Sequence, residues 1–205
     1  ILKTNLYDSI KFIKNAVRSG CRKFLIISTS SEYGCISKRI KELNIRSKRN
    51  PKNLYSISKV KFTNSIKKLS MEKKYYDCKF RIMRVFPVYG PGENSLRLFP
   101  SLKDAAIKGK NFLIKNPLEF RDFSETSYVS KILLNACIFK KATKRFEIYH
   151  VSSNKKMTVI EFAKKLWKKF NAKGKLITEN KKVFFSTHVS DKKSVWKINK
   201  NVKRK

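Results

Sequence analysis

Phe24-Leu25-Ile26-Ile27 is a short, unbroken apolar run. It limits the fold more than any other segment, because a run without alternation is expected of a strand covered on both faces of a parallel sheet. Before it, Leu6, Ile10, Ile13 and Val17 recur at helical spacing and stop at Gly20, a residue suited to the end of a helix. Polar Ser28 to Ser31 follow the run, and a loop rich in Lys, Arg and Asn leads to Pro51. Helical periodicity returns from Leu54 to Tyr75, and Phe80 to Phe86 reads as a second buried strand ending in Val88-Tyr89-Gly90-Pro91-Gly92. Helix, strand, loop, helix, strand is the order of a doubly wound α/β sheet.

The second half changes in texture. Helices are expected from Leu98 to Lys108 and from Val129 to Phe139, with short strands at Asn111 to Lys115 and Ile148 to Val151. Thr158 to Phe170 is an amphipathic helix, and Thr158 with Glu161 matches the pattern in which two side chains satisfy free N–H groups at a helix start. From Lys173 onward the pattern weakens.

Charge is the feature most open to misreading. The chain holds 50 Lys and Arg against 14 Asp and Glu, a formal charge of +36, yet 41% of its 205 residues are hydrophobic, too many for a disordered basic tail. A basic nucleic-acid-binding module is the competing class, and it requires a contiguous basic face with aromatics on it. Here 39 of the cations are Lys and only 11 are Arg, spread almost evenly. Phosphate-clamping surfaces concentrate Arg, so a compositional bias explains the charge and a nucleic-acid partner is not expected. Cys21, Cys35, Cys78 and Cys137 lie far apart, which indicates free thiols and no metal site. No apolar run approaches the roughly 18 residues of a membrane helix, and no signal peptide opens the chain, so the cytoplasm is the expected location.

In open α/β sheets chemistry gathers at the C-terminal ends of strands. That places interest on Ser28 to Gly34, on Tyr55 with Lys59, and on Phe86 to Gly92. A Tyr and a Lys four apart on a helix share a face, where an ammonium can stabilise a phenolate. Tyr7/Lys11 and Tyr75/Lys79 have the same spacing, but only Tyr55/Lys59 follows a strand, a Ser/Thr cluster and a loop led by Pro51.

At these residues the sequence resembles the extended short-chain dehydrogenase/reductases that act on nucleotide sugars, the NAD-dependent epimerase/dehydratases. The similar stretches are Phe24 to Gly34, Pro51 to Lys59, Arg84 to Gly92, Arg121-Asp122-Phe123 and Tyr149 to Ser153. They stand in family order across nearly the whole chain. The resemblance implies a partial doubly wound, Rossmann-like parallel sheet with a smaller C-terminal substrate-binding α/β portion. Residues 1–92 would be the C-terminal half of a dinucleotide-binding domain. Residues 93–205 would mainly bind substrate, with 121–151 returning to the core sheet.

It also implies roles. Tyr55 becomes the catalytic acid or base, Lys59 its partner that also holds the nicotinamide ribose, and Thr29 the hydroxyl that orients the sugar. Asn5, Ser28 and Phe86 would lie on the cofactor side, and Pro87 and Arg121 on the substrate side, with Arg121 meeting the nucleotide. The cofactor would be NAD or NADP, the substrate a nucleotide sugar, and the full-length parent a homodimer. Plainer readings stand beside these: Thr29 as a turn cap, Tyr55 as a packed aromatic, Lys59 as a surface charge, and Arg121 as half of an ion pair with Asp122.

Several departures from the family pattern narrow the activity. No Gly-x-Gly-x-x-Gly or Gly-x-x-Gly-x-x-Gly occurs among the residues, so the pyrophosphate-cradling turn is absent and the chain is expected to be an inert piece of a longer enzyme. Pro87 replaces a common Asn, and Tyr128 stands about where an Asp commonly follows Arg-Asp-Phe. Ser30 and Ser31 follow Thr29 where the family's dehydratases carry Asp and Glu, which disfavours dehydration. Epimerisation or keto-sugar reduction remains.

Overall fold

The computed structural model describes residues 1–34, 42–138, 144–179 and 187–198. A π-helical stretch, Lys3–Asp8, continues into α1 (Ser9–Arg18). β1 (Lys23–Thr29) follows, then a 3-10 turn at Ser30–Tyr33, α2 (Leu54–Leu69), β2 (Lys79–Val85) and β3 (Val88–Tyr89). Next come α3 (Leu98–Ile107), β4 (Phe112–Ile114), β5 (Phe120–Asp122), β6 (Ser124–Glu125) and α4 (Thr126–Cys137). β7 (Phe146–Val151), β8 (Lys156–Thr158), α5 (Val159–Lys169), β9 (Leu176–Thr178) and β10 (Thr187–His188) complete the described elements.

The core is a parallel sheet in the order β1-β2-β7. Phe24 stands opposite Phe80 and Ile26 opposite Ile82, the parallel pairing expected of the two apolar runs. Phe80 and Ile82 then face Phe146 and Ile148 on the other side. Helices cover both faces. Leu6, Ile13, Phe62, Ile66 and Leu69 from the N-terminal helical stretch, α1 and α2 pack on Phe24, Ile26, Phe80 and Ile82. Val129, Ile132 and Ala136 of α4 pack on Met83 and Val151. With both faces of β2 covered, its apolar residues need no alternation, and each fully buried one contributes about 2–3 kcal/mol.

β1 departs from this expectation. Leu25 packs beneath the α4 layer, but Ile27 is 43% exposed and borders a crevice, so only one face of the strand is covered along its length. α2 also ends earlier than its periodicity suggests, at Leu69. The 3-10 turn Lys73–Tyr75 then buries Tyr75, which mimics one more helical turn in the sequence.

A second cluster forms where α3 and α5 meet the paired strands β4 and β9. Leu102, Ile114, Phe123, Phe162 and Leu166 are buried there, and Phe123 stacks on Phe162 at 3.9 Å. β9 lies in the region where the sequence pattern fades. At three residues it is too short to show a period.

Candidate active site

The C-terminal ends of β1 and β2 open into a crevice of about 810 Å³. Thr29, the last residue of β1, is on its wall. Its Oγ1 accepts the backbone N–H of Ser31 at 3.1 Å, so Thr29 caps the following turn as well as lining the crevice. Gly34 ends that turn at φ 67°, and a Cβ there would stand 1.7 Å from the Asn50 carbonyl oxygen. This close approach returns the chain toward α2.

Tyr55 lines the same crevice from the first turn of α2 and is 43% exposed. A reciprocal cap sets that helix start: Ser56 N–H donates to Asn53 Oδ1 at 2.9 Å, and Asn53 N–H to Ser56 Oγ at 3.3 Å. Lys59 follows one turn later. Its Nζ lies 6.0 Å from the Tyr55 ring centroid and donates to the Ile27 carbonyl at 3.3 Å. Burial holds the Lys59 pKa below the usual lysine value, while the charge of Glu32 works in the opposite direction.

The other expected residues divide between the crevice and its surroundings. Ser28 and Phe86 are buried and border the crevice, and Ser28 donates to Glu32. Pro87 borders it too. Asn5 is outside the crevice lining and donates to Ser58 Oγ on α2 at 3.2 Å, so the structure brings it to the helix of Tyr55 but not to the open face.

Arg121 lines the crevice and also a neighbouring hollow of about 370 Å³. Its ion pair is with Glu119, which corrects the pairing with Asp122 read from adjacency. Alternate residues of an extended chain share a face, and neighbours do not. Asp122 is buried on the other side and accepts from Ser152 and Ser153. The Nε of Arg121 is buried without a hydrogen-bond partner among the described residues.

Sequence reasoning overlooked Glu93, Asn94 and Arg97, which line the crevice before α3. Their position just after the Gly90-Pro91-Gly92 turn was the available signal. Phe162 of α5 also reaches the crevice, and nothing local in the sequence marks it.

The model of the NAD dependent epimerase/dehydratase family matches residues 1–152. The chain belongs to this family. The epimerase/dehydratase match takes in the three core strands, both catalytic-helix candidates Tyr55 and Lys59, and Arg121. The structure is similar to UDP-glucose 4-epimerase from Thermotoga maritima with UDP-glucose, at 20% identity and a TM-score of 0.78, over 93% of this chain and 61% of that one. It is similar to dTDP-glucose 4,6-dehydratase from Bacillus anthracis str. Ames in complex with NAD, at 18% identity and a TM-score of 0.75, over 93% and 59%. RMD from Pseudomonas aeruginosa, complexed with NADPH, matches at 16% identity and a TM-score of 0.79, over 97% and 68%. At such identities the likeness establishes the α/β fold. The chain spans 61%, 59% and 68% of these three structures. No curated protein matches. Among the described residues, no helix is long and apolar enough to cross a membrane.

Proposed function

We propose that these residues form the proton-transfer and sugar-binding part of a nucleotide-sugar epimerase or a related NAD(P)-dependent oxidoreductase. The observation that carries this reading is that Thr29 and Tyr55, from separate elements, line one crevice with Lys59 one turn behind the Tyr. Tyr55 as phenolate takes the proton from a sugar hydroxyl, and the Lys59 ammonium opposes the charge that develops. Thr29 orients the hydroxyl. Arg121, with an unpartnered buried Nε, meets the nucleotide's negative charge.

A bound nicotinamide would supply the hydride acceptor. The residues present fit its ribose end: Tyr55 on the crevice wall and Lys59, whose ammonium reaches the Ile27 carbonyl near the end of β1, would hold it. The pyrophosphate end has no counterpart here, because neither Gly-x-Gly-x-x-Gly nor Gly-x-x-Gly-x-x-Gly occurs among the 205 residues. Epimerisation is favoured over dehydration: Ser30 and Ser31 follow Thr29, and Glu93, a carboxylate on the crevice wall, accepts the Gly90 N–H at 2.7 Å. The division into residues 1–92 and 93–205 follows from the same reading. Asn5 enters it as a support of α2.

The test joins these residues to a Gly-rich βαβ unit of a family member and follows sugar protons by NMR with NAD and UDP- or dTDP-glucose. An epimer is expected, and Tyr55→Phe should slow its formation by about 10²–10⁴-fold. An equal rate in that variant overturns the assignment.

A further inference from the structure

We propose that Glu32 is a positioning residue of this site: from a buried place beneath the crevice, its carboxylate ties β1, which ends in Thr29, to α2, which carries Tyr55 and Lys59. The inference rests on the reading of Thr29, Tyr55 and Lys59 given above.

Glu32 is 0% exposed. Its Oε1 accepts the hydroxyls of Ser28, on β1, and Thr63, on α2, the latter at 3.0 Å. Its Oε2 pairs with Arg84 Nη2 at 3.0 Å and Arg49 Nη1 at 3.3 Å. Lys59 and Thr63 are one turn apart on α2, and Ile27 and Ser28 are consecutive in β1. The Lys59 ammonium is bonded to the Ile27 carbonyl, and the next turn is bonded to Ser28 through Glu32. Arg49 adds a third connection, donating from Nη2 to Asn64 Oδ1 on α2 at 2.8 Å.

A buried carboxylate is costly unless it is paired and hydrogen-bonded. Glu32 balances the buried Arg84 guanidinium and, through Ser28 and Thr63, also joins the strand to the helix. The charged groups facing it are Arg84 from β2, Arg49 from the segment before α2, and Lys59 from α2, with Tyr33 next in the chain. Arg84 is itself held by the Tyr33 hydroxyl at 2.8 Å and the Ile45 carbonyl at 3.2 Å. Glu32 therefore fixes the spacing of strand and helix, and its charge raises the Lys59 pKa against the burial that lowers it.

The test needs no turnover. The full chain is pulsed with acetic anhydride across a pH series, and Lys59 labelling is read by mass spectrometry alongside amide exchange of residues 55–59. Glu32→Gln, shown to be folded by circular dichroism, should move half-labelling of Lys59 to lower pH. Thr63→Val, which cuts the connection and keeps the charge, should leave that midpoint in place and speed exchange over 55–59 several-fold. A folded Glu32→Gln chain with an unmoved midpoint makes Glu32 an ion-pair partner of the arginines alone and overturns the proposal. If Glu32→Gln does not fold, Thr63→Val decides, and unchanged exchange overturns it. Failure of the epimerase reading shows separately, as Tyr55→Phe without effect on the sugar.

Discussion

His150 is wholly buried between the hydroxyls of Tyr33, at 2.6 Å, and Ser190, at 2.7 Å. Burial first, and Arg84 next, push its pKa down from 6.5 to about 3, against the opposing pull of Asp191. The ring is neutral in the fold and takes up a proton in the unfolded chain below about pH 6.5. Its contribution is therefore fully present above that value and is lost as the pH falls from there toward 3. Urea unfolding at about pH 7.5 and pH 5 should differ by about 2 kcal/mol from this residue. His150→Gln should remove most of that difference, and equal slopes in the two proteins would rule it out. Arg121 supports a second expectation at this scale. On the proposed reading, Arg121→Ala should weaken UDP binding about tenfold or more in calorimetry, the usual cost of a lost charge-assisted hydrogen bond. The candidate residues were legible because each sits in a local motif. The partner of Arg121 was not, because Glu119 and Asp122 are both close in sequence and only the strand's two faces separate them.

Among the elements, α2 carries the most weight, since its first turns present Tyr55 and Lys59. Asn53→Ala removes an acceptor from its start and should destabilise the chain by about 1 kcal/mol in urea unfolding. Gly34→Ala should be far worse. A side chain there would be strained at φ 67° and would overlap the Asn50 carbonyl, a cost on the order of 3 kcal/mol or more. Folded yield and the thermal midpoint measure it, and a midpoint within a few degrees of the parent would refute the close approach. The start of α2 was readable from its cap and its periodicity. Its end was not, because a 3-10 turn that buries Tyr75 continues the helical spacing.

For the molecule as a whole, β1 is paired on one edge only among the described residues. Its other edge can template pairing with another chain. The formal charge of +36 opposes that association, and salt screens such repulsion. Light scattering should therefore show self-association that grows as ionic strength rises from about 0.05 to 0.5 M. A monomer throughout would show that the edge is covered. The same chain should give no micromolar heat with NAD or NADP, since neither glycine fingerprint of a pyrophosphate-binding turn occurs among its residues.

The sequence by itself determined the parallel core and singled out Thr29, Tyr55 and Lys59 as candidates. Unalternated apolar runs, a Ser/Thr cluster and a Tyr-Lys helical turn are local patterns, and local patterns survive in one dimension. Tertiary structure alone decided that Ile27 stays open, that Arg121 pairs with Glu119, and that Phe162 reaches the crevice. It alone set Glu32 among Ser28, Thr63, Arg84 and Arg49. Whether a side chain is covered, or a buried charge is met, depends on which distant elements pack together, and no spacing along the chain encodes that directly.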